Sequence, residues 1–167
     1  MLGLPFPPTA ERFTRLEDTL RLAAHMWSGN TGPFRGAHHS LEEPISVPAP
    51  IRRPRVLIGG TGERRTLPLV AQYADACNLF DVPDGGATVR HKLAVLAEAC
   101  AAIGRNPREI EFSLSSRLAP GETTAEFVDR CAALATMGIE HVVLVTSGPW
   151  RDDDLDVAFR AVDRVPV

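Results

Sequence analysis

With 167 residues, 44% hydrophobic and 23% charged, the chain has the composition of one ordinary globular domain with a sizeable core, which excludes wholesale disorder. A formal net charge of -3 and a pI near 5.9 give no electrostatic reason to bind nucleic acid or an anionic membrane. No apolar run approaches the roughly 18 residues of a membrane span, and the opening MLGLPFPPTAERF lacks a signal peptide's basic start and apolar stretch, so cytoplasm is the expected compartment.

Phe13, Leu16, Leu20, Ala23 and Trp27 recur at steps of three and four, which predicts an amphipathic helix over 10–27, with Thr9 as its N-cap. Residues 28–54 break that pattern with Gly29, Gly32, Pro33, Gly36, Pro44, Pro48, Pro50 and Pro54, and read as a long insertion loop of the functional or mobile kind. Arg55-Val56-Leu57-Ile58 is a short apolar strand running into Gly59-Gly60-Thr61-Gly62. Pro68 has no N–H to give and must lie in a first turn, so the next helix starts near 65–67. Ala76-Cys77-Asn78-Leu79-Phe80 is a second strand. Val89, Leu93, Leu96, Cys100 and Ile103 mark a helix that Gly104 ends.

Ile110, Phe112, Leu114, Ser116 and Leu118 alternate with polar residues, the period of a strand. Thr123 and Glu126 have capping-box spacing, and the helix they open carries Phe127, Cys131 and Leu134 up to Gly138. A strand over 141–145 and a helix over about 153–162, with Leu155, Phe159 and Val162 inward, complete the order. The expectation is one α/β domain over 1–167: a leading helix (10–27), the insertion loop (28–54) and four βα units (55–167) on a parallel sheet. Pattern leaves open whether these units make a small doubly wound sheet or part of a barrel; a whole eight-unit barrel needs about 250 residues.

The glycine loop is the strongest chemical signal. Gly59, Gly60, Thr61 and Gly62, between a strand and a helix, bring backbone N–H groups and a positive helix end to one point, with Arg64 and Arg65 to neutralise a phosphate. The competing readings are a plain tight turn and a dinucleotide fingerprint; the latter needs a third glycine where Arg65 stands, although Asp81 lies about 20 residues on. Asn78, placed at a strand's C-terminal end, is a candidate for cofactor or substrate contact, or a mere turn cap. Ser113, Ser115 and Ser116 have no assigned base, and Arg117 is a candidate anion contact. Cys77, Cys100 and Cys131 sit in apolar patterns as buried free thiols. His38-His39 and Asp152-Asp153-Asp154 do not close a metal site, and His141 reads as structural. No general acid or base stands out, so the catalytic residues stay unnamed.

Pro54-Arg55-Val56-Leu57-Ile58-Gly59-Gly60-Thr61-Gly62-Glu63-Arg64-Arg65-Thr66-Leu67, with Leu69-Val70-Ala71-Gln72-Tyr73-Ala74-Asp75-Ala76-Cys77-Asn78-Leu79-Phe80, resembles the luciferase-like monooxygenase superfamily, in particular its branch using the deazaflavin coenzyme F-420. Arg12–Glu17 and Met26–Gly29, Lys92–Glu111 and Met137–Val142 are similar to the family's flanking elements. The resemblance implies a partial (β/α)8 TIM barrel holding family strands five to eight, with residues 2–8 matching the stretch after strand four. It implies hydride transfer between F-420 and a small organic substrate, with FMN as the alternative cofactor on the same loop, or else a non-catalytic half-barrel. It further implies that Gly59–Gly62, Arg64 and Asn78 serve the cofactor, and that a homo-oligomer or complementing half-barrel supplies the missing strands.

Overall fold

Helix α1 (Thr9–Trp27) leads the chain in the computed structural model, which describes residues 6–165. Of the stretch matched to family sequence after strand four, residues 2–5 lie outside the described residues. Contacts divide the chain into two compact units, Met1–Arg55 and Val56–Val167. Thr9 is the first helical residue and not the cap. Extended Pro8 takes the cap position, and the Thr9 hydroxyl accepts from Arg12 Nη2 at 2.9 Å instead.

The insertion is more ordered than its composition suggests. Two-residue strands β1 (Phe34–Arg35) and β2 (Ser40–Leu41) pair antiparallel, and Gly36 N–H closes the turn onto His39 O at 2.8 Å. Asp18, on α1 and 2% exposed, fastens that turn by accepting from the backbone N–H groups of Ala37, His38 and His39 at 3.2, 2.9 and 2.8 Å. His38 and His39 reach back to Thr14 and Thr19 on the same helix. A buried carboxylate is tolerable only when hydrogen-bonded, and here the turn's otherwise orphaned donors satisfy it.

In the second unit, β3 (Leu57–Gly59), α2 (Thr66–Tyr73), β4 (Ala76–Phe80), α3 (Ala87–Ala102), β5 (Glu111–Ser116), α4 (Thr124–Thr136), β6 (His141–Leu144) and α5 (Asp152–Val162) alternate along the chain. The four strands form one parallel sheet in the order β3-β4-β5-β6. Pro68 sits in the first turn of α2, as its missing N–H requires. Thr123 and Glu126 form the full capping box of α4. Gly104, at φ +71°, ends α3 with Arg105 N–H bonded back to Cys100 O; Ile103, expected on the inner face, lies past the last helical residue and is exposed.

Register sorts the strand residues onto two faces. Ile58, Cys77, Leu79 and Leu114 point to one side, buried like the helical residues Leu67, Val70, Val89 and Leu96. On that side Val142 and Leu144 pack with Phe127, Cys131 and Ala161. The expected inward set on α5 needs correction. Phe159 and Val162 are each 71% exposed, because Val157 and Ala161, one turn apart, are what face the α4 cluster. All three cysteines are free and buried, and burial pushes the Cys77 thiol up to about 11.

Candidate functional site

The glycine loop wraps one side chain. Gly60 takes φ +132°, a conformation that costs glycine little and other residues much, and its N–H donates to Asn78 O at 3.0 Å. A Cβ on Gly60 would meet Thr66 Cγ2 at 3.2 Å, and one on Gly62 would meet Thr66 Oγ1 at 2.8 Å. The loop therefore lies against Thr66 as closely as backbone can. Among the described residues no acceptor takes the N–H of Thr61 or Gly62 or the Thr66 hydroxyl, and Arg64 and Arg65 are exposed with no carboxylate partner. Three donors without a protein acceptor lie between β3 and the start of α2, with two exposed arginines in the same loop, a donor set of the kind a phosphate fits.

One acid lies in the loop, and it is neutralised. Glu63 Oε1 takes bonds from Lys92 Nζ and, at 3.0 Å, from His91 Nε2, both on α3. Lys92 first and His91 second hold that carboxyl below its ordinary range, against the opposing effect of burial. The pair also ties the loop to α3.

Asn78 is the third of five residues of β4, not its last, and faces away from the helices. Its Nδ2 donates to Ser113 Oγ at 2.9 Å, and its Oδ1 accepts from Ser115 Oγ at 2.9 Å. The three form a polar ladder on the sheet face that also carries Leu57, Phe80 and Val143, 59%, 56% and 39% exposed. Ser116 points the other way. Structure thus splits the serine strand into two roles that alternation alone leaves unassigned.

At the rim the sequence singles out Arg117 but not the network around Arg130. At the C-terminal ends of β4, β5 and β6 lies a cavity of about 770 Å³, bounded by the segments after β4 and β5 and by α4. Its floor is Arg130, whose five N–H groups are all used: Nη1 to Asp81 and Ser116 at 2.8 and 2.6 Å, Nε to Glu122 at 2.8 Å, Nη2 to Glu122 and Arg117 O at 2.8 and 3.1 Å. Ser116 Oγ also donates to Asp81. Burial pushes the Glu122 carboxyl up, but the Arg130 bonds and Ala119 N–H outweigh it and hold it below the usual glutamate range. No pattern in the chain links Asp81, Ser116, Glu122 and Arg130; only the fold brings them together. Among the described residues no three His, Cys, Asp or Glu side chains are grouped to hold a metal ion, and no helix is long and apolar enough to cross a membrane.

Comparison with known proteins agrees with this architecture. The chain is 24% identical over 142 residues to an F420-dependent glucose-6-phosphate dehydrogenase of Kineococcus radiotolerans, covering 83% of this chain and 41% of that one. A second protein of that name, from Microbacterium testaceum, is 28% identical over 65 residues, 39% of this chain and 19% of its own. Among solved structures, an F420-dependent secondary alcohol dehydrogenase in complex with an F420-acetone adduct superposes with a TM-score of 0.81 at 13% identity, over 99% of this chain and 66% of that one. DmoA from Hyphomicrobium sulfonivorans gives 0.54 at 13% identity, over 98% and 42%. The chain thus spans about two fifths or less of the curated relatives it matches. The family model for luciferase-like monooxygenases matches residues 1–160, and the chain belongs to that family.

Proposed function

We propose that this chain is the phosphate-holding, C-terminal half of a coenzyme F-420-dependent oxidoreductase barrel. The observation that carries the reading is the cradle of Gly60, Thr61 and Gly62 around Thr66, with donors that no protein group answers. Thr61 and Gly62 N–H, the Thr66 hydroxyl and Arg64 would hold the cofactor phosphate, while Gly59 lets the chain approach and Asn78 lines the adjoining sheet face. Names borne by the similar dehydrogenases support F-420 over FMN. When bound, the deazaflavin supplies hydride exchange with a small organic substrate; the chain's part is to fix and orient its phosphate. Two sheet edges, β3 and β6, each have a single neighbour among the described residues, so a second copy or a complementing half-barrel is the partner proposed to complete the site.

A fluorescence titration of the purified chain with coenzyme F-420, run beside FMN, tests this. Selective, saturable deazaflavin binding that Gly60→Asp removes in a still-folded protein is the expected result. Equal affinity in a folded Gly60→Asp variant would overturn the loop assignment, and preference for FMN would overturn the cofactor.

A further inference from the structure

We propose that the rim cavity is a binding site of its own, for a small molecule with an apolar body and a single carboxylate, and that Arg117 receives that carboxylate. The cavity adjoins the sheet face of Asn78, since Phe80 and Ser115 belong to both, but the inference does not rest on the phosphate loop.

Size and lining come first. About 770 Å³ is in the range that encloses a small organic ligand. The walls are Phe80, Val82, Leu118, Leu134, Met137 and Val145, an apolar set in which the unbranched Met137 can adapt to a ligand's outline. Met137 Sδ is itself held at 3.7 Å by Arg90 Nη1, so the adaptable wall has a fixed anchor.

The polar floor decides what the body must be. Every N–H of Arg130 is spent within the protein, and Glu122 accepts from Arg130 and from Ala119 N–H. A ligand lying on that floor has no free guanidinium to bond there, and covering it with hydrocarbon strands none of Arg130's donors. An apolar body therefore costs little where a polar one gains nothing.

Arg117 decides the head group. Its side chain lines the cavity and is exposed, and among the described residues its guanidinium has no carboxylate or carbonyl partner; only its backbone C=O is engaged. One free planar fork matches one carboxylate. A phosphate dianion would face a single uncommitted cation with the Asp81 and Glu122 carboxylates nearby, which disfavours it.

Methyl NMR of the full chain without any deazaflavin tests the assignment, with octanoate, 1-octanol and inorganic phosphate as probes. Octanoate is expected to shift the methyls of Leu118, Leu134 and Met137 saturably. Arg117→Met should weaken octanoate about tenfold or more, the usual worth of a hydrogen bond to a charged group, and leave 1-octanol unchanged. Arg117→Lys should recover part of the loss, and phosphate should not compete. Arg117 is exposed, so an unchanged ligand-free spectrum verifies the fold of each variant. Shifts confined to Leu57 and Val143 on the open sheet face, equal octanoate affinity in Arg117→Met, or displacement by phosphate would each overturn the proposal. Because no deazaflavin is present, such a failure leaves the phosphate-loop reading to its own titration.

Discussion

Thr66 is where the glycine loop's shape and its chemistry meet. Its methyl packs under Gly60 and its hydroxyl under Gly62, so Thr66→Val keeps the packing and removes a donor. The expected outcome is a several-fold loss of deazaflavin affinity, about 1 kcal/mol for one hydrogen bond, with an unchanged melting temperature. Isothermal titration beside thermal melting checks it, and an unaffected affinity would mean that the hydroxyl does not touch the ligand. Asp18 makes a residue-scale prediction in the other unit. Burial works to raise its pKa, yet the bonds from His38, His39 and Ala37 prevail and hold it below the usual aspartate range. Because the folded value is the lower one, the anchoring is complete at neutral pH and is lost only as pH falls through that depressed value. The amide resonances of Ala37, His38 and His39 should therefore titrate together, with a midpoint under about 3.9. Separate midpoints, or a shared one above that value, would show that Asp18 does not hold the turn.

At the scale of elements, Arg130 joins the segment after β4 to the segment after β5 and fastens both to α4. Asp81 and Glu122 expose only 15% and 8% of their side chains. Arg130→Met would strand both acids, at a cost of roughly 2–4 kcal/mol once Arg130's partial exposure is discounted. Urea denaturation measures this, and a loss under about 1 kcal/mol would demote the network to a surface feature. Sign follows from Glu122. Its folded-state pKa is the lower one, so the wild-type advantage is full above the usual glutamate range and shrinks as pH falls through the depressed value. The stability gap between wild type and Arg130→Met should narrow toward acid. None of this was readable from the chain, because Asp81 and Arg130 stand 49 residues apart and meet only across β5. What was readable was local. Pro68 located the start of α2, Thr123 and Glu126 the cap of α4, and alternating residues the strand β5. The glycine loop was legible by composition, whereas its contact with Thr66 was not. Phe159 and Val162 misled because helical periodicity reports an apolar stripe without saying which part of it finds a neighbour.

At the scale of the whole molecule the question is what the open sheet does in water. β3 and β6 lie at the two edges, and all four strands run the same way. A sheet with free edges presents unpaired N–H and C=O groups, and this one also exposes Leu57, Phe80, Val143 and Val145 on its uncovered face. Rotation of a second copy about a common axis would bring β6 of each copy beside β3 of the other in parallel, giving the eight strands of a closed barrel. Closure would bury those four side chains and leave no edge. Light scattering at high micromolar concentration is therefore expected to give at least twice the chain mass of 18.1 kDa. Val143→Lys places a charge on the face that closure would dehydrate, so it should return the protein to monomer with unchanged far-ultraviolet circular dichroism. A wild-type monomer that also binds no hydrophobic dye would refute self-closure. A wild-type monomer that binds dye strongly would refute the second copy while keeping the open face, and would direct the search to a complementing half-barrel.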